Sequence, residues 1–343
     1  MAAITKSRVA ELDLLRFVAA ISVVLYHYGY GAPFGVAASH VTEFGFLGVQ
    51  LFFMISGFVI LWTAMNKSAF EFIASRISRL YPTFWACVLL TAATLFFLGR
   101  KIGPRMLLAN LTMIPGPLRQ PMLDDVYWTL VVEIKFYALM LAMLLTRQLA
   151  NIRRWLGLWL GVSIFAAFGP HWLRYAALDQ FSAYFIGGCY LFLIRNQKPS
   201  ADLLIALGAC AVLSVYNAIG VQESFTLDDS LRTQIWVGVV IILEYAVFLG
   251  VAARRLSLPQ LPLWGRLGAI TYPLYLIHSG TVENLGLRYL IGGPARFTLM
   301  LLASLLIAWL LAITIERRAC AAFNRWLLAI PSSQLWRYGE DRD

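Results

Sequence analysis

One apolar stretch, LDLLRFVAAISVVLYHYGY from Leu12 to Tyr30, carries three side chains foreign to hydrocarbon: Asp13, Arg16 and His27. A charged or titratable group at mid-bilayer costs at least about 2.5 kcal/mol, so a membrane helix keeps one there chiefly for function. At about 100° per residue, Arg16 and His27 fall about 20° apart on a helix and Asp13 lies within about 60° of both, so the three share one stripe. The helical rise separates Asp13 from His27 by about 21 Å, which excludes a dyad and makes the stripe the wall of a pathway. An imidazole is suited to take a proton from a hydroxyl near neutral pH, and a carboxylate can orient it or steady the imidazolium that forms.

The carboxylate expected to meet His27 is Glu133, in WTLVVEIKFY. If its helix enters from outside near Tyr127, Glu133 lies about 9 Å below the outer surface, and His27, about 21 Å up from the inner one, reaches nearly the same level of a core about 30 Å thick. His278, in TYPLYLIHSG, and Ser56, in FFMISGF, also fall in the middle to outer half. Arg76 and Arg79, three apart in RISRLYP, share one face at the inner end of the third span, where Pro82 suits a first helical turn. Two guanidiniums there would hold phosphate through charge-assisted bonds. Plainer roles exist for each. Glu133 can pair with Lys135 or Arg16, His278 can serve as a buried partner of Tyr272 or Tyr275, and Arg76 and Arg79 can act as topology signals. Ser56-Gly57 reads by default as a packing contact, and Trp128 as part of an interfacial aromatic belt.

These residues need membrane helices to place them. The 343 residues are 60% hydrophobic and 13% charged, against about 25% charged in soluble domains, which makes the chain an all-α polytopic membrane protein in one domain. Apolar segments recur at about 12–30, 45–65, 80–98, 127–146, 155–169, 180–195, 202–220, 233–252, 267–288 and 297–316, giving about ten spans. Eighteen basic residues fall in one set of loops and eight in the other, with Arg16 and Lys135 inside spans, so both termini and a polar tail of about 317–343 are expected to be cytoplasmic. The net charge of +10 is spread between apolar segments, which argues against nucleic acid as a partner. Lys6 and Arg8 ahead of the first span, with Ala37–Ser39 after it, imitate a signal peptide, but Asp13, Arg16 and His27 do not suit an h-region. Segment 99–126, with four prolines around MLLANLTMI, is too broken to span and is expected to be re-entrant or interfacial; loop 220–232 carries Glu223, Asp228 and Asp229. Cys87, Cys189, Cys210 and Cys320 show neither CxxC nor the Cys/His spacing of a metal site.

Five stretches in this order, LDLLRFVAAISVVLYH, GVQLFFMISGFVI, RISRLYP, WTLVVEIKFY and TYPLYLIH, resemble the acyltransferase 3 family of integral membrane O-acyltransferases. The resemblance implies transfer of an acyl group, acetyl being the expected one, from cytoplasmic acyl-CoA as a donor substrate to a carbohydrate or glycolipid hydroxyl outside a bacterial inner membrane, with no permanently bound cofactor. It makes His27 the essential histidine of the first span, Arg16 the arginine preceding it, Arg76 and Arg79 the pair associated with CoA, and Trp128 with Glu133 the W-x-L-x-x-E element. Thr129 stands where serine is frequent and Leu14 where glycine usually follows the aspartate. Asp13, Ser56, Tyr275 and His278 are expected to support the pathway. Some members carry a fused extracytoplasmic domain that completes acylation; the expectation here is the stand-alone form, which acts alone or hands the acyl group to a glycan-assembly partner. Intramembrane His, Glu and Arg also build proton-coupled transporters and flippases, but no two-half repeat is evident.

Overall fold

A computed structural model describes residues 9–29, 42–169, 179–222, 225, 230–290 and 294–329, and among these every regular element is helical. Lys6, Arg8, Ala37–Ser39, Glu223, Asp228, Asp229 and residues 330–343 lie outside the described residues.

Helix starts follow from local chemistry. α1 (Ala10–Gly29) is followed by a 3-10 turn, Glu43–Leu47, that runs into α2 (Gly48–Met65). At α3 (Ala69–Phe97), Ser68 and Glu71 form a capping box, each satisfying the other's backbone N–H. This box starts the helix eleven residues before the expected span at 80. Pro82 is therefore a helix-interior proline rather than a first-turn one, and Arg76 and Arg79 stand about 10 and 15 Å above the start of α3. Pro104 opens α4 (Pro104–Leu111); α5 (Trp128–Leu145), α6 (Ile152–Ala167) and α7 (Ser182–Asn196) follow. Next come α8 (Ala201–Gln222), α9 (Leu231–Ala252) with Ser230 as its cap, and α10 (Pro262–Ile277). A π-helical turn, His278–Glu283, joins α10 to α11 (Asn284–Tyr289). α12 (Pro294–Leu311) continues through a second π segment, Ala312–Ala319, into α13 (Cys320–Leu328).

Each of the ten expected segments contains a helix, and among the described residues six pieces are long and apolar enough to cross a membrane: Glu43–Met65, Ala69–Phe97, Asp125–Leu145, Ala201–Val221, Leu231–Ala252 and Pro294–Leu328. Of the others, α1 carries Glu11, Asp13 and Arg16, while α6, α7 and α10 have 16, 15 and 16 residues. The start of the expected polar tail is helical. α13 lays Cys320, Phe323 and Asn324 on α3, with Phe323 6.1 Å from Trp85 and Asn324 Oδ1 accepting from Ser78 Oγ at 3.2 Å.

Two apolar cores form. In the first, Ser182 through Ile194 of α7 are all buried, as suits a helix apolar on every side. Its backbone meets α2 directly, since a Cβ at Gly57 would strike the Phe185 carbonyl and one at Gly188 the Met54 carbonyl. The packing role foreseen for Gly57 is the one it has. The second core joins α1, α3, α10 and α12. Val49, Phe52 and Tyr137 touch both cores, so a seam runs between them along α1.

The proline-rich segment after α3 turns back along that helix. Tyr81 Oη donates to the Thr112 carbonyl (3.1 Å) and Trp85 Nε1 to the Leu111 carbonyl (2.9 Å), about 18 Å or more below the end of α3. Buried Asn110 pins the return, donating to the Met106 and Pro121 carbonyls and accepting from the Leu123 N–H, each at 2.9 Å. The segment therefore folds back beside α3 and forms no helix long enough to span, as expected of a re-entrant or interfacial piece.

Candidate active site

Three cavities follow one another along the seam. The first, about 680 Å³, is lined by Asp13, Arg16, Arg79, Arg266 and Glu316 among others. It shares Arg16, Val59 and Arg79 with the second, about 100 Å³, where Ser56, Arg76, Glu133 and Tyr137 stand. The second shares Val49 and Tyr275 with the third, about 40 Å³, which holds His27, Gln50 and Trp128.

Regular helices build the arginine end. Arg16 projects from α1 and Arg76 and Arg79 from α3, all into the second cavity. Arg16 Nη1 is 3.7 Å from Asp13 Oδ1, and its guanidinium lies within electrostatic reach of Arg79, Glu133 and Arg76. Glu133 Oε1 accepts from Ser56 Oγ at 2.6 Å. On the side of the first cavity, Glu316 faces Arg79 and Arg16, and its Oε2 has no hydrogen-bond partner among the described residues. Three guanidiniums gathered around Glu133 at one cavity form a site for an anion. Glu316 and Arg266 were missed as site residues; their charge beside a span end was the available signal.

The histidine end is assembled differently. His27 Nδ1 lies 3.6 Å from Glu283 Oε2, and the rings of His27 and His278 are 4.9 Å apart, edge to face. His278 is fully buried and its Nδ1 donates to the Tyr275 carbonyl at 2.8 Å, which leaves a bare lone pair on Nε2, without a partner among the described residues. Tyr28 Oη donates to the His278 carbonyl (2.8 Å) and pairs with Ser304 Oγ (2.6 Å). From the loop ahead of α5, Asp124 Oδ2 accepts the Gly280 N–H at 2.7 Å and Oδ1 the Val126 N–H at 3.2 Å. Burial pushes the Asp124 carboxyl up to about 6, although both backbone donors and nearby His27 pull it down.

The structure does not pair His27 with Glu133. The contacts of Glu133 run to Ser56 and the arginines, those of His27 to Glu283 and His278. The segment between α3 and α5 explains the difference. It starts α5 beside the middle of α3, with the Tyr127 ring 5.1 Å from Phe84 and Tyr127 Oη 3.4 Å from Thr91 Oγ1, so Glu133 is carried past His27 toward Arg16. Tyr275 stands in the wall between the two ends, its Oη 3.0 Å from Thr129 Oγ1 and donating to the Val126 carbonyl at 3.3 Å. A threonine thus supplies the hydroxyl at the position where serine is frequent. Trp128 lies against Phe181 (5.1 Å) and Phe53 (6.3 Å) and walls the third cavity.

Residues 9–313 match the family model described as an acyltransferase domain. The chain is 28% identical over 302 residues to the exopolysaccharide production protein ExoZ of Rhizobium meliloti (strain 1021), covering 81% of this chain and 90% of that one. It is 23% identical over 302 residues to the putative membrane-bound transacylase BcsY of Komagataeibacter xylinus (80% and 72%), and 29% identical over 145 residues to the acyltransferase MdmB of Streptomyces mycarofaciens (38% of each). No solved structure matches. With a family model spanning nearly the whole chain and a seam of charged cavities between membrane helices, this protein belongs to the acyltransferase 3 family and is a multi-pass membrane acyltransferase.

Proposed function

We propose that this enzyme moves an acetyl group from cytoplasmic acetyl-CoA to a hydroxyl of an envelope polysaccharide or its lipid-linked precursor on the outer side of a bacterial inner membrane, with both chain ends cytoplasmic. The observation that carries the reading is the series of three cavities from the arginines to His27. Arg16, Arg76 and Arg79 hold the donor phosphates, and Arg266 extends the basic wall toward the open end. Arg16 and His27 are about 16 Å apart along α1, close to the reach of a pantetheine arm, which is comparable to roughly four extended residues or about 14 Å. The carbohydrate acceptor rests on the exopolysaccharide role printed in the name of ExoZ and on its coverage of nearly the same length.

In the transfer, His27 takes the proton of the acceptor hydroxyl while its oxygen attacks the thioester carbonyl carbon. The tetrahedral intermediate collapses with cleavage of the C–S bond, and the departing sulfur receives the proton from the imidazolium, giving an O-acetyl ester and free CoA thiol. A histidine-bound acetyl intermediate is the variant route, with the acetyl passing from thioester to imidazole and then to the hydroxyl. The transporter reading raised by the intramembrane charges gives way to family membership. The test is label transfer from acetyl-CoA by purified, reconstituted protein into envelope glycans extracted from its source cells. Labelled glycan sustains the proposal; absence of both acetyl-CoA binding and CoA release removes the donor assignment. CoA release with no labelled glycan removes the direct transfer and points to a partner protein.

A further inference from the structure

His27 faces a carboxylate, and it is Glu283. In an α-helix His278 and Glu283, five residues apart, would point about 140° from each other. The chain is π-helical over His278–Glu283, and i→i+5 spacing returns the two side chains to one side, which is the side of His27. The turn is held by Asp124 on the Gly280 N–H, and Gly280 has no room for a side chain because a Cβ there would strike that carboxylate. A π turn pinned by a buried carboxylate against a glycine is a built feature, and such turns gather at functional sites.

Both Asp124 oxygens accept backbone N–H bonds, and His278 donates from Nδ1 to Tyr275, so its Nε2 offers only a lone pair. Glu283 is the anionic group left to face His27 Nδ1 among the described residues. We propose that Glu283 is the positioning residue of acyl transfer: it accepts a hydrogen bond from His27 Nδ1–H, fixing the tautomer that leaves His27 Nε2 free to take the acceptor proton, and it steadies the imidazolium. The 3.6 Å separation is longer than a formed hydrogen bond, and such contacts tighten when substrate closes the site. Carboxylate on one imidazole nitrogen and hydroxyl on the other is the arrangement that makes histidine an oriented base.

This inference rests on His27 being the base, and the experiment separates the two. Acetyl transfer from labelled acetyl-CoA to extracted envelope glycans is measured across pH for wild type, Glu283→Gln, Glu283→Asp and His27→Ala, each reconstituted and checked by thermal unfolding. Glu283→Gln is expected to lower kcat about 100-fold, leave KM for acetyl-CoA within about twofold, and move the acid limb of kcat to lower pH, since the imidazolium loses its partner. Glu283→Asp recovers at least about a tenth of wild-type kcat. A wild-type kcat with an unmoved acid limb in Glu283→Gln overturns the assignment, as does a loss of rate accompanied only by lower heat stability. Wild-type activity in His27→Ala instead removes the reading of His27 itself.

Discussion

At the arginine end, three guanidiniums from α1 and α3 surround Glu133 of α5, all of them projected by regular helix; at the histidine end, His27 is met by a π turn that a carboxylate on the loop ahead of α5 holds in place. The first arrangement concentrates charge and tolerates small displacements, because a phosphate is attracted by the summed field of several groups. The second fixes tautomer and direction, and proton transfer depends on both. One end is therefore built to bind and the other to react, and damage at the two should divide between KM and kcat.

His27→Ala tests the reacting end most severely. Loss of a general base costs about 10²- to 10⁴-fold, and the loss should fall on kcat with little change in KM for acetyl-CoA, measured by transfer kinetics on reconstituted protein. Arg79→Ala should do the reverse. Removing one charged contact to the donor costs about 1.5–3 kcal/mol, which raises KM for acetyl-CoA about 10- to 100-fold while kcat at saturation falls much less. Equal losses of kcat from both variants would dissolve the division.

The contrast also explains what was legible beforehand. Arg16, Arg76 and Arg79 stand out because α-helical spacing places them on shared faces, and α-helix is what those segments form. Asp13 and Ser56 likewise lie where the helical stripe and small-residue spacing put them, beside Arg16 and Glu133. Glu283 was hidden by periodicity, since its distance of five from His278 scatters the pair on an α-helix and gathers it only on a π-helix. The level of Glu133 was hidden by topology: it depends on where the proline-rich segment after α3 delivers Tyr127, which Asn110 and Trp85 decide through contacts distant in sequence. Local pattern reports what a helix presents, and the level at which a helix begins is set by the loop before it.

Asp124 offers a smaller probe of the histidine end through its proton. Its carboxyl titrates near about 6 in the folded protein, against about 3.9 in an unfolded chain, so the folded state holds the proton more tightly. That stabilisation is complete below about pH 4 and is lost as pH rises through about 6. Thermal unfolding of the solubilised protein should show its midpoint falling across this window, by the equivalent of about 3 kcal/mol at most. Asp124→Asn, which keeps an acceptor for the Gly280 N–H, should flatten that slope; an unchanged slope would mean that other carboxyls dominate.

The mildest change bears on which end owns Glu133. Ser56→Ala removes the hydroxyl that donates to Glu133 Oε1 but leaves the carboxylate among the arginines. A hydrogen bond to a charged group whose other partners remain is worth about 1 kcal/mol, so KM for acetyl-CoA should rise about fivefold with kcat nearly constant. The sign of the division matters more than its size. Should Ser56→Ala lower kcat and spare KM, Glu133 would be acting in the chemistry at His27, on the far side of the Tyr275 wall. Proton transfer would then extend from one cavity into the next, and the separation of a binding end from a reacting end would fail at the residue the sequence had paired with His27.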